Sequence, residues 1–191
     1  MEEVVRVIED FSPVSVSVGL AQYWVMRALE RGSVLVVGQG SDEAYGGYQR
    51  FADAYREGGE EAAAWEVRRS IIHSYRVNFE REWRLSLHLG VEILYPLISP
   101  GMVYYVGRLP LAARVRGPDD ALRKHIVRLA ASAMGVPREI AGARKRSMQY
   151  STGAMKALRD VARAHGLKPH QYLYKKYMDL FAGQGGGPGL G

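Results

Sequence analysis

The sequence predicts an α/β fold that is mostly helical, with one or two parallel strands and about seven to eight helices. Two observations carry this expectation. Val34 to Val37 is a short, unbroken apolar run that ends at a glycine loop, the pattern of a strand buried on both faces of a parallel sheet. Around it, apolar residues recur at three- and four-residue steps in segments separated by Gly and Pro, the pattern of amphipathic helices.

The first helix is expected from Pro13 to Glu30. Ser12 stands where a cap belongs, Pro13 takes the first helical position and Gly32 follows the end. Val14, Val18, Ala21, Val25, Ala28 and Leu29 would form its buried face. Val4 to Ile8 fits a second strand or a helix equally well. Beyond Tyr48, helices are expected near 49–57, 60–75, 79–89, 101–107, 119–134, 137–141 and 154–164. Residues 1–182 read as one lobe, and residues 183–191, mostly glycine, as a disordered tail. One strand, or two, leaves sheet edges open, so a further chain or segment is expected to complete the sheet.

At 191 residues and 47% hydrophobic, the chain has enough apolar side chains to build a core. It contains no run of apolar residues long enough to span a membrane, and its acidic start, Met1-Glu2-Glu3, is unlike a signal peptide, so a soluble cytoplasmic protein is expected. The absence of cysteine excludes disulfides, thiolate metal sites and thiol nucleophiles within these residues. Residues 1–100 carry 10 basic and 15 acidic side chains, whereas residues 101–191 carry 16 and 5, so the positive field belongs to the second half. Such a field suits phosphate, pyrophosphate, nucleic acid or an acidic partner, or is a solvated basic surface. No compact nucleic-acid recognition motif accompanies it. The patch Tyr172 to Tyr177, with Lys175 and Lys176, reads as a docking tail. The five histidines show no metal-ligand spacing, and no nucleophile signature is present.

The segment Gly38-Gln39-Gly40-Ser41-Asp42-Glu43, running into Gly46-Gly47-Tyr48, lies beyond the carboxyl end of the expected strand, where open α/β sheets bind ligands. Glycines there permit positive φ, so that successive N–H groups can face an anion, and Asp42 offers a hard oxygen to Mg²⁺. A plain strand-to-helix turn is the alternative. The segment resembles the Ser-Gly-Glu-Gly-Ser-Asp-Glu…Gly-Gly-Tyr loop of the asparagine synthetase family. Three more stretches are similar to that family in the same order. Gly90-Val91-Glu92-Ile93-Leu94-Tyr95-Pro96-Leu97-Ile98-Ser99 matches its Gly-Val-Glu-x-Arg-x-Pro-Phe-Leu-Asp. Lys124-His125-Ile126-Val127-Arg128 matches its Lys-x-x-Leu-Arg helix. Lys145 to Gly153 matches its Lys-x-x-x-Gln-Tyr-Gly-Ser-Gly.

The resemblance implies the C-terminal portion of a Rossmann-like ATP-pyrophosphatase domain, with ATP and Mg²⁺ as cofactors. It implies adenylation of a small-molecule carboxylate and attack on the adenylate by ammonia or an amine. Carried over residue by residue, it gives Asp42 to the metal, and Gly38, Gly40, Ser41, Lys124 and Arg128 to ATP and pyrophosphate. Lys145 is given to the α-phosphate and the intermediate, and Glu92 and Gln39 to the acceptor and nucleophile side. A fixed cation at Lys145 would stabilise the charge that builds as AMP leaves.

Departures accompany the matches. The family's Ser-Gly-Gly-x-Asp-Ser loop has no counterpart in Met1 to Ser33, so a partner chain carrying it, a missing N-terminal half or a homo-oligomer is expected. Gln39 replaces a glutamate, Leu94 an arginine and Ser99 an aspartate. A non-catalytic scaffold or nucleotide-sensing subunit is the alternative to an enzyme. Nucleic-acid binding ranks last.

Overall fold

In the computed structural model, residues 1–144 and 146–182 are described, with Val77 described in its backbone alone. Lys145 and the glycine-rich tail 183–191 lie outside the described residues. The chain divides into two compact units. Unit 1 takes Met1–Leu35, Glu80–Ile93 and the described part of Arg146–Gly191, and unit 2 takes Val36–Phe79 and Leu94–Lys145.

Unit 1 is built on α1 (Glu2–Ile8) and α2 (Pro13–Arg27). Val4 to Ile8 is thus helix and not strand. Pro13 opens α2 as expected, but the Ser12 hydroxyl makes no capping bond. The buried face of α2 is Val16, Gly19, Tyr23 and Met26, not the expected one, and Val14 and Val25 are each 52% exposed. This helix is apolar on both faces, so periodicity allows two orientations, and packing selects one. The selection has a local cause. A Cβ on Gly19 would sit 3.2 Å from Val4 Cγ1 and 3.4 Å from Arg81 Cδ, so glycine lets α2 lie close against its neighbours. Tyr23 donates to Glu3 at 2.5 Å on the same side.

The second strand is β2 (Glu92–Leu94), which pairs with β1 (Val34–Val36) in a two-stranded sheet. The ladder is parallel: Glu92 N–H donates to Ser33 O at 2.9 Å, and Val37 N–H to Leu94 O at 3.1 Å. Burial on both faces does not occur. Val34 and Val36 are 52% and 63% exposed, and only the alternate residues Leu35 and Ile93 pack against the unit 1 core. The run Val34 to Val37 was short enough to hide this alternation.

The helix α5 (Glu80–Leu89) follows a π-helical turn at Tyr75–Phe79 and sets Leu85 into the same core. Buried Arg81 and Glu82 are tied to α2 through Gln22, whose amide nitrogen donates to Glu82 and whose oxygen accepts from Arg81 Nε at 3.2 Å. Toward the end of the chain come α9 (Met148–Ser151), α10 (Ala154–Ala164) and α11 (Pro169–Phe181). The helix α11 corrects the docking-tail reading of Tyr172 to Tyr177. Tyr172 and Leu173 are buried, Phe11 lies against the rings of Tyr174 and Tyr177, and Lys176 Nζ meets Glu2 at 2.6 Å.

Unit 2 begins with α3 (Ser41–Ala44) and α4 (Gln49–Ser74), whose helical geometry breaks at Gly58–Gly59 as expected. Then come a 3₁₀ turn at Pro96–Ile98, α6 (Pro100–Gly107), a second 3₁₀ turn at Leu111–Ala113, α7 (His125–Ala133) and α8 (Arg138–Ala141). Two small cores hold it, one around Phe51, Val67 and Val115 and one around Ala44, Tyr45 and Val106.

The helix expected from 119 starts only at His125, because Asp120 organises the segment before it. Its carboxylate accepts the N–H groups of Arg116 and Arg123, each at 2.9 Å, and meets His125 Nε2 at 2.8 Å. Although burial opposes ionisation, those N–H groups and the His125 ring hold the Asp120 carboxyl below its ordinary value. Arg123 and Lys124 then both adopt left-handed backbone with φ 54°, a conformation that costs each about 1 kcal/mol. Among the described residues, no helix is long and apolar enough to cross a membrane.

These contacts set the cost of substitution at Gly19, Leu85 and Asp120. Gly19→Leu should lower stability by about 1–3 kcal/mol through overpacking. Leu85→Ala should lower it by about 2–5 kcal/mol through the cavity left behind. Both are read from denaturant midpoints. Asp120, with a folded pKa below the unfolded value of about 3.9, contributes stability that is present above that value and is lost as pH falls through the folded one. The difference in melting temperature between the wild type and Asp120→Asn should therefore shrink below about pH 4, as thermal scans across pH would show.

Candidate functional site

The glycine loop after β1 lies in unit 2, and its sequence explains its shape. Gly40 has φ 86° and caps α3, and a Cβ there would fall 2.6 Å from Ile98 Cβ, so the loop rests directly on the Pro96–Ile98 turn. The chain then reverses at Gly46–Gly47, where Gly47 N–H donates to Asp42 O at 2.8 Å. A Cβ on Gly47 would overlap Asp42 Oδ1 and lie 2.5 Å from Lys124 Cε. Glycine at 47 thus leaves the space in which the Asp42 carboxylate and the Lys124 side chain meet.

That meeting is the centre of the site. Lys124 Nζ is 2.8 Å from Asp42 Oδ1 and donates to Ser41 Oγ at 3.1 Å. Both partners of the ion pair are largely covered, with side-chain exposures of 21% and 24%, and Ser41 is 7% exposed. The charges are therefore less screened than a surface pair. Ser41 N–H turns inward to Gly38 O at 3.3 Å, while Gly38 itself is exposed and Gln39 half-buried.

Arg128 stands one turn along α7 from Lys124 and is engaged by backbone. Its guanidinium donates to Arg123 O at 2.8 Å, Leu122 O at 2.7 Å, Ala141 O at 2.6 Å and Ala143 O at 2.9 Å. These bonds clamp the left-handed pair Arg123–Lys124 and fix the root of the Lys124 side chain.

Beneath the loop sits a group the sequence did not single out. Glu43 is 2% exposed, and its carboxylate accepts from the Tyr48 hydroxyl and from Asn78 Nδ2 at 2.6 Å. Burial, followed by the charge of Glu43, pushes the Tyr48 phenol far above its ordinary range. Tyr48 had a signal in Gly-Gly-Tyr. Asn78 had none, since 35 residues separate it from Glu43.

Of the residues expected in the site, Gly38, Gln39, Gly40, Ser41, Asp42, Lys124 and Arg128 all belong to unit 2. Ser41, Asp42 and Lys124 are in direct contact. Glu92 belongs to unit 1, on the exposed side of β2. Lys145 lies outside the described residues. Among the described residues, no group of three or more His, Asp or Glu side chains could hold a metal ion by itself.

A Methanocaldococcus jannaschii protein bearing the name asparagine synthetase [glutamine-hydrolyzing] 1 is 26% identical over 195 residues, which cover 86% of this chain and 36% of that protein. An asparagine synthetase domain-containing protein of Saccharomyces cerevisiae is 30% identical over 130 residues, covering 68% of this chain and 23% of that protein. The chain thus spans 36% or less of the length of these curated relatives. The family model for asparagine synthase matches residues 1–77 and 55–186. With both glycine-loop and C-terminal segments inside those matches, the chain belongs to the asparagine synthase family.

Proposed function

We propose that the chain is part of an ATP-dependent, amide-forming synthetase with a Rossmann-like ATP-pyrophosphatase fold. A carboxylate oxygen attacks the α-phosphorus of ATP and pyrophosphate leaves. Ammonia or an amine then attacks the acyl adenylate, giving the amide and AMP. The carrying observation is the Lys124 ammonium held on Ser41 and Asp42 inside a glycine loop at the carboxyl end of a parallel strand. A cation rooted at that place suits a polyphosphate, because its charge favours the phosphate oxygens.

The roles proposed for the residues follow their chemistry. The backbone of Gly38 to Gly40, the Ser41 hydroxyl and Lys124 bind phosphate oxygens. Arg128, with its donors on four carbonyls, holds the turn that aims Lys124. Lys145 is proposed to act on the α-phosphate and the intermediate, and Glu92 and Gln39 are proposed to act on the acceptor and nucleophile.

Mg²⁺ is typically held by one or two carboxylates together with waters and substrate phosphates, and Asp42 beside the Ser41 hydroxyl fits such a shared shell. Bound there, the ion would neutralise charge on the phosphate oxygens. The pyrophosphate-gripping Ser-Gly-Gly-x-Asp-Ser loop is proposed to come from a partner chain or an N-terminal half. The archaeal relative's name includes glutamine hydrolysis. These residues contain no cysteine, so the nitrogen is proposed to arrive from outside them, as ammonia or an amine.

Gln39, where the family has a glutamate, favours a second reading, a non-catalytic scaffold or nucleotide-sensing subunit. One assay separates the two. The chain is mixed with a partner carrying the pyrophosphate loop, ATP, Mg²⁺, ammonia and aspartate or another carboxylate, and pyrophosphate is measured. Release is expected, and Asp42→Ala and Lys145→Ala should each lower it about 10²–10³-fold, the range for removal of one charge-stabilising group. No release with any carboxylate would favour the scaffold.

A further inference from the structure

Lys124 reaches the glycine loop in a manner that differs from a mobile surface lysine. Its backbone and that of Arg123 are left-handed, at φ 54° each, and the Arg128 guanidinium and the Asp120 carboxylate hold them there through carbonyl and N–H groups. Its stem runs past Gly47, where any side chain would collide with it. Its ammonium ends 2.8 Å from Asp42 Oδ1 and 3.1 Å from Ser41 Oγ. One oxygen of the Asp42 carboxylate, which a hard cation would bind, is therefore in contact with a built-in monovalent cation.

We propose that Lys124 is a counter-ion of Asp42 and that a divalent cation binding Asp42 exchanges with it. This inference rests on the reading of the loop as a phosphate and magnesium cradle. A divalent ion bonds carboxylate oxygen at about 2.0–2.1 Å, closer than the ammonium, and the two positive charges repel when they crowd one oxygen in a partly covered site. Exchange has a chemical consequence. The displaced ammonium, still rooted in a clamped turn, becomes available to an anionic oxygen beside the loop when the metal has entered. Metal entry and the supply of a phosphate-binding cation are thus one event, and metal and polyphosphate bind with positive coupling.

The test uses the full chain and Mn²⁺ alone, without ATP or turnover, with free Mn²⁺ measured by electron paramagnetic resonance. Lys124→Met should bind one Mn²⁺ at least about tenfold more tightly than the wild type, because a competing charge has gone. Lys124→Arg, which keeps the charge, should stay near the wild type. The double variant Lys124→Met with Asp42→Asn should lose the gain. Equal Mn²⁺ affinity in the wild type and Lys124→Met, or a gain that survives in the double variant, would overturn the proposal.

A second measurement needs no substitution. Saturating Mg²⁺ should change the ¹⁵N signal of the Lys124 ammonium in the wild-type chain, and a signal unchanged at saturation refutes the exchange. Because neither readout involves catalysis, exchange without pyrophosphate release would sink the synthetase reading alone. Release without exchange would sink this proposal alone.

Discussion

The ion pair between Lys124 and Asp42 organises unit 2. It joins residues more than eighty positions apart, bringing the loop after β1 against the start of α7, and the local features around it make sense as its requirements. Gly47 has no side chain because one would occupy the place of the pair. Arg123 and Lys124 accept left-handed backbone because Arg128 and Asp120 satisfy the carbonyl and N–H groups that this turn leaves outside a helix. Strain of this kind persists only where surrounding contacts over-determine it, and it is characteristic of functional sites.

A second layer supports the loop from below. Glu43 follows Asp42 directly in sequence yet faces inward, where Tyr48 and Asn78 bind its carboxylate. One acid therefore meets the lysine while its neighbour anchors the segment. Arg50 covers the Tyr48 ring at 3.9 Å and pairs with Glu66 at 3.1 Å, extending the anchor onto α4. A loop held this way presents its polar groups without paying the ordering entropy at the moment of binding.

Unit 1 shows the same economy in a structural setting. Its core is aliphatic, but Gln22, Arg81 and Glu82 form a buried polar connection between α2 and α5. Such a network adds little net stability and selects strongly against other packings, since any rotation of α2 would strand a buried charge. Together with Gly19 it explains why α2 turns Val16, Tyr23 and Met26 inward while an equally apolar face stays exposed.

By itself the sequence determined what depends on short-range chemistry. The break at Gly58–Gly59, the Pro13 start, the strand before the glycine loop and the order of four family-like segments were all legible, because glycine, proline and apolar periodicity act within a few residues. The same local view could not distinguish helix from strand at Val4 to Ile8, and it missed α11 and the strand Glu92–Leu94. It also did not show that the Arg128 guanidinium donates to four backbone carbonyls. Those outcomes depend on partners distant in sequence: which face of α2 meets α1, which carbonyls surround a guanidinium, and which lysine arrives at Asp42. Only the tertiary structure decided them, because burial and ion pairing are set by groups that the chain brings together after its local elements have formed.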